Sequence, residues 1–391
     1  MLKLDEAFEI MMGSARRLGS ERVEISSSLN RILAEDVVSE MEMPPFNKSL
    51  RDGFACRRAD LANELTIIET IRAGYVPQKV IGPKECAKIM TGAILPEGAD
   101  CVVMKEYVEK PTGNTVRFVG EETADNICLK GEDVKRGDIV LRAGCKIAPQ
   151  HIAVMASHGC VEPLVSLRPR VGVIATGDEL VEPSEEPAAG QIRNSNGYQL
   201  VAQLGSVGAI ATNYGIAADT KKAQNDVFVK AIAENDVVIL SGGVSVGDYD
   251  FVREILKANK IKLLFEKIAV KPGRPMVFGV SDEVFCFGLP GNPVSTFVMF
   301  ELLVKPFLYK MAGHKFEPIV NYRQLTKTIT KGKTERDSWL PVVFLEEGKA
   351  ARVEYHGSGH INALCEADGL ICIPSGVAEV KKGTRVAVRQ I

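Results

Sequence analysis

Apolar positions change their spacing several times along the chain. Between Leu2 and Leu18 they fall at Leu4, Ala7, Phe8, Ile10, Met11, Ala15 and Leu18, a stripe of helical period. A mixed pattern follows to Val38, and Met43-Pro-Pro-Phe46 is a proline-stiffened stop. From about residue 51 to 144 the texture is different. Short alternating runs recur at 66–71, 101–104, 115–119 and 138–141, punctuated by glycine and proline. They predict an all-β module. Helical spacing returns at 147–157 and is ended by Gly159.

From Arg170 strands and helices alternate. Val171–Ala175, Ile210–Ile216 and Asp236–Leu240 read as strands, and Asn196–Leu204 and Thr220–Glu234 as helices, the second with a threonine cap. Further strand patterns fall at 261–270, 276–280 and 284–287, before a long apolar helix over 294–311. Alternation of this kind predicts a doubly wound, mostly parallel α/β sheet. Beyond Gly313 the runs are short and turn-bounded again, which predicts a small C-terminal β domain.

Composition narrows the class. A chain of 391 residues exceeds one compact core, so two to four domains are expected. The net charge of −2 supplies no global field for nucleic acid or anionic membrane, and no apolar run is long enough to span a bilayer. Acidic residues interrupt the N-terminal apolar positions, so no signal peptide is expected. The nine cysteines include no C-x-x-C pair and read as reduced, mostly buried thiols of a cytoplasmic protein.

The candidate chemistry lies in loops that follow the α/β strands. Ser241-Gly-Gly-Val-Ser-Val-Gly-Asp-Tyr-Asp250 leads from an apolar strand into a helical pattern. Its glycines let backbone amides approach an anion, and Asp248 and Asp250 call for a divalent cation beside that anion. Thr176-Gly-Asp-Glu179 follows the first strand, and Gly288-Leu-Pro-Gly-Asn-Pro-Val-Ser295 opens the long helix. In Lys271-Pro-Gly-Arg-Pro275 a rigid guanidinium fork and a point charge suit a dianion. These loops together predict a phosphorylated substrate with Mg²⁺. No Walker A loop, dinucleotide-binding G-x-G-x-x-G or G-x-S-x-G elbow occurs. His356 and His360 read as loop histidines and Trp339 as a packing residue.

These motifs resemble, in order and over nearly the whole chain, those of the molybdopterin molybdenumtransferase family (MoeA and the E-domain of gephyrin). The match includes Thr91-Gly-Ala, Leu95-Pro-Glu-Gly-Ala-Asp100 and Gly131-Glu-Asp133 besides the α/β loops. The resemblance implies four parts: an N-terminal linker domain of residues 1–45 and 145–168, an inserted β domain of 46–144, an α/β molybdopterin-binding domain of 169–315, and a β-barrel-like domain of 316–391. It implies a homodimer with an inter-subunit active site, insertion of molybdate into adenylylated molybdopterin with Mg²⁺ and release of AMP, and contact with a molybdopterin adenylyltransferase.

Carried onto this sequence, the resemblance gives Asp52, Thr91, Glu179 and Asp250 catalytic roles, with Glu179 and Asp250 also at the metal. Thr176, Gly177, Asp178, Ser241, Gly242, Gly243, Ser245, Gly247, Asp248, Pro290, Asn292 and Pro293 would hold the pterin nucleotide. Lys271, Arg274, Ser295 and Arg336 would hold molybdate. The chain departs from the family pattern at Asn47, Arg51, Ser338 and Asn362. At Ser338 the family often has an arginine, so either another residue such as Arg336 substitutes, or the chain is a paralogue with weaker or different insertion activity; the alternative function is a non-catalytic molybdopterin carrier or scaffold.

Overall fold

The computed structural model describes residues 1–244, 251–332 and 335–391. Its central sheet has six strands in the spatial order Ile210–Ala217, Arg170–Thr176, Val237–Ser241, Phe285–Leu289, Pro275–Val280 and Lys262–Lys267. The first four run parallel, with Val171 beside Val237 and Val237 beside Phe285. Pro275–Val280 is antiparallel to both its neighbours. The reversal has a positional consequence. The loop between Lys267 and Pro275 lies at the same edge as the carboxyl ends of the parallel strands, so all the polar loops converge there.

The strand Val237–Ser241 is buried throughout. Alternate residues serve opposite faces, as strand geometry requires. Val237 and Ile239 join the core under the helix Ser195–Ser206 and the long apolar helix, whereas Val238 and Leu240 join the core under Lys221–Glu234 and Val252–Ala258. Thr220 caps Lys221–Glu234 by accepting from the Ala223 N–H at 3.2 Å. The long apolar helix is continuous from Pro293 to Met311, but its turn at Phe300–Val304 is π-helical. Pro306 has no N–H to donate, and the ladder widens in the turn before it.

Phe307 anchors this helix to the sheet. Its ring meets Phe278, Phe285 and Phe287 edge-on at centroid distances of 5.5, 4.9 and 5.4 Å. That geometry adds aromatic attraction to the burial of four fully enclosed rings.

A second six-stranded sheet, lying wholly within residues 53–118, forms the inserted β unit; only Glu64–Ile71 and Glu85–Ile89 pair in parallel. Gly53 admits the close approach of Cys101–Met104, because a Cβ there would stand 1.9 Å from the Val103 carbonyl oxygen. At the C-terminus five strands close on themselves, since Asp337–Leu345 pairs with both Lys349–Arg352 and Gly369–Ile373. A sixth strand, Val270–Lys271, comes from the α/β unit and pairs in parallel with Asp337–Ser338. All nine cysteines are free, and five are buried. Among the described residues no helix is long and apolar enough to cross a membrane.

Phe307→Ala should lower the stability of the α/β unit by about 3–5 kcal/mol through the lost transfer energy and the cavity left among three rings. Urea unfolding followed by circular dichroism measures it. A loss below about 1 kcal/mol would show that the ring cluster does not hold the helix.

Candidate active site

Two cavities open at the carboxyl edge of the central sheet. The first, about 640 Å³, lies between the loops after Arg170–Thr176 and Val237–Ser241 and the N-terminus of Ser195–Ser206. Thr176, Gly177, Glu179, Ser241, Gly242, Gly243, Pro290, Asn292 and Pro293 line it. Gly242 and Gly243 have φ of +102° and +61°, and a Cβ on Gly242 would stand 2.6 Å from the Thr176 carbonyl oxygen. Glycine is therefore required where this loop crosses the first strand end. The Gly242 N–H donates to the Leu289 carbonyl at 3.1 Å, which ties the loop to the next strand.

Asparagines that sequence reasoning missed complete this wall. The Asn196 amide donates to Ser241 Oγ at 2.8 Å and to the Gly291 carbonyl at 2.7 Å. Asn194 is fully buried and caps the helix by accepting from the Gly197 N–H at 3.0 Å. The Asn194 Nδ2 and Asn196 Oδ1 atoms are buried with no hydrogen-bond partner. Both residues line the cavity, so a polar ligand would relieve that cost. The signal was present in Arg193-Asn-Ser-Asn-Gly197, a polar cluster at a predicted helix start.

The second cavity, about 520 Å³, lies between the α/β unit and the C-terminal barrel. Lys271, Arg274, Ser295 and Arg336 all line it, together with Lys331 and Arg352, which the sequence reading did not select. No aspartate or glutamate lines it among the described residues. Five cationic side chains among the described residues stand around one concave wall and raise the local potential for an anion. Pro275, Pro290 and Asn292 belong to both cavities, so the two abut.

The other predicted site residues are placed elsewhere. Asp178 lines neither cavity; its carboxylate accepts from the Asp219 N–H at 2.9 Å, and Asp219 accepts in return from the Asp178 N–H at 3.2 Å. Asp219 lines the first cavity, so Asp178 acts on that wall through it. Asp52 and Thr91 lie in the inserted β unit and line neither cavity. The Asp52 carboxylate accepts from the Thr91 N–H and hydroxyl at 2.9 Å each and lies 3.5 Å from Lys105 Nζ. The Thr91 backbone N–H, then its hydroxyl, hold the Asp52 pKa below the ordinary aspartate range. Ser245, Gly247, Asp248 and Asp250 lie outside the described residues. Among the described residues no cluster of three metal-ligating side chains occurs.

Three family models match successive parts of the chain: the MoeA N-terminal region (domain I and II) over residues 2–159, a probable molybdopterin binding domain over 172–310, and the MoeA C-terminal region (domain IV) over 323–391. Molybdopterin molybdenumtransferases of Staphylococcus epidermidis RP62A and Staphylococcus aureus Mu50 are each 36% identical, over 99% of this chain and 95% of theirs. The chain belongs to the molybdopterin molybdenumtransferase family. A crystal structure of the molybdopterin biosynthesis moeA protein from Pyrococcus horikoshii OT3, 30% identical, superposes over the full length of both chains with a TM-score of 0.88.

Against the family pattern, the departures fall unevenly. Asn47 accepts from the Lys130 N–H at 2.8 Å and lines neither cavity. Arg51 and Asn362 line neither cavity. Ser338 alone lines the anion cavity. There the Lys331 ammonium donates to its hydroxyl, Nζ to Oγ 3.1 Å, so a cation lies beside that position.

The Asp52 carboxyl should titrate below the ordinary aspartate range, with its Thr91 contacts intact above its folded pKa and lost as pH falls through it. Thr91→Ala removes the hydroxyl and keeps the N–H, so the pKa should rise part of the way. Carboxyl ¹³C NMR titration reads both. An unshifted value in the variant would deny the hydroxyl its role.

Proposed function

We propose that the chain inserts molybdate into the dithiolene of adenylylated molybdopterin and releases AMP. One observation carries this reading: a polar, glycine-walled cavity abuts a cavity lined, among the described residues, by cations and neutral groups alone. The reaction has those two parts. A pterin nucleotide must be held and cut at its pyrophosphate, and a tetrahedral dianion must be delivered beside it.

In this reading the loop Ser241–Gly243, whose Gly242 N–H is spent on Leu289, the N-terminus of Ser195–Ser206 and the Asn194 and Asn196 side chains bind the nucleotide. Thr176, Gly177, Pro290, Asn292 and Pro293 shape its bed, and Asp178 fixes Asp219. Ser245, Gly247 and Asp248 extend the same loop by sequence. A bound Mg²⁺ would neutralise pyrophosphate charge as the bond breaks. Glu179 is exposed in the cavity wall and fits it as a single protein ligand, because Mg²⁺ sites commonly combine one or two carboxylates with phosphate and water. Asp250 is the second proposed ligand.

Lys271, Arg274, Ser295 and Arg336 receive molybdate. Arg supplies paired donors and Lys a mobile charge. Asp52 and Thr91 line neither of the two cavities of their own chain, which supports a homodimer that brings them to the partner's site. A transient complex with a molybdopterin adenylyltransferase would supply the nucleotide. The carrier reading keeps the same binding surfaces without turnover.

Incubation with adenylylated molybdopterin, Mg²⁺ and molybdate should release AMP only when molybdate is present. Absence of molybdate-dependent AMP would refute insertion, and tight pterin binding with no turnover would favour the carrier. Lys271→Ala should raise half-saturating molybdate about tenfold, the equivalent of ~1.4 kcal/mol. Glu179→Gln should cut turnover more than nucleotide binding, and equal losses would contradict a role at the metal.

A further inference from the structure

Ser338 is the one departure from the family pattern that faces a cavity, and its surroundings are specific. It is 2% exposed and lies in the strand Asp337–Leu345, directly beside Lys271 in the parallel pairing of Val270–Lys271 with Asp337–Ser338. Register partners in a sheet project their side chains to the same face. Both residues line the anion cavity.

Lys331 fixes what the Ser338 hydroxyl can do. Its Nζ donates to Ser338 Oγ at 3.1 Å and to the Ile373 and Pro374 carbonyls at 3.1 and 3.2 Å. The carbonyls hold the ammonium in place. A hydroxyl oxygen that accepts from an ammonium still carries its own O–H to donate. Among the described residues the Ser338 hydroxyl donates to no protein acceptor, and Ser338 lines the anion cavity. Burial pushes the Lys331 pKa below the lysine range; Cys372 and Asp337 oppose that shift and the like charge of Lys271 adds to it.

We propose that Ser338 and Lys331 form a single oxyanion-binding unit, in which Ser338 donates its O–H to an oxygen of the tetrahedral dianion held by Lys271. Ser338 is a binding residue and Lys331 is the positioning residue that orients its proton and adds charge behind it. The inference rests on the reading that this cavity takes molybdate.

Calorimetric titration of sodium molybdate into the full-length protein tests it, with Lys271→Ala as the reference variant. Ser338→Ala and Lys331→Met should each weaken binding about tenfold, as expected for a hydrogen bond to a charged group. The double variant should bind no more weakly than either single one, because the two groups act as a unit. Lys331→Arg should recover most of the loss, which a merely structural lysine would not require. Thermal unfolding should show Ser338→Ala still folded at the titration temperature, and this variant alone decides the matter if Lys331→Met does not fold. Parent-like binding by Ser338→Ala with loss in Lys271→Ala would overturn the unit and leave the cavity assignment standing. Additive losses in the double variant would also overturn it. Binding insensitive to Lys271→Ala would remove the cavity assignment and the unit with it.

Discussion

A two-residue strand pairing organises this molecule. Val270–Lys271 leaves the α/β sheet and enters the C-terminal barrel beside Asp337–Ser338. Few backbone bonds are involved, but the pairing sets the register between two separately built units. Lys271 becomes the neighbour of Ser338, and the barrel's Lys331, Arg336 and Arg352 come to face the basic loop of the α/β unit. Without it the cations of the two units would repel one another across open solvent. With it they enclose a volume that an anion can neutralise.

The second organising feature is the reversal of Pro275–Val280 within an otherwise parallel sheet. A parallel strand would have carried the Lys271–Pro275 loop to the opposite edge. The antiparallel strand starts where its neighbours end, so the basic loop meets the glycine loop at Gly242–Gly243 and the turn at Pro290–Asn292. The two cavities therefore abut instead of lying at opposite ends of the sheet. Charge is sorted between them: Glu179 and Asp219 line the first, and the second holds no carboxylate among the described residues. Sorting of this kind gives the first cavity carboxylates and the second a surplus of positive charge.

Much of the fold was legible because the α/β unit buries both faces of its central strands. Continuous apolar runs such as Val237–Leu240 and period-3.6 helices leave little choice of class. The glycine loops were legible because only glycine tolerates the left-handed backbone and close contact found at Gly242. The predicted residues that line no cavity illustrate the limit. Asp178 carries the right chemistry in the right loop, yet its carboxylate is engaged by the Asp219 backbone. Lys331 and Arg352 gave no local signal, since a lysine or arginine in a turn-rich β segment is indistinguishable from a solvated one.

The sequence by itself determined the family, the alternation that builds the sheet, and the loops that carry glycine, carboxylate and cation chemistry. Each of these is written in local spacing or in residue type. Tertiary structure alone decided which charges share a cavity, that Ser338 accepts from Lys331, and that Asn194 and Asn196 wall the first cavity with unsatisfied buried atoms. Such facts depend on contacts between residues far apart in the chain. Strand direction and register set those contacts, and no local pattern encodes them.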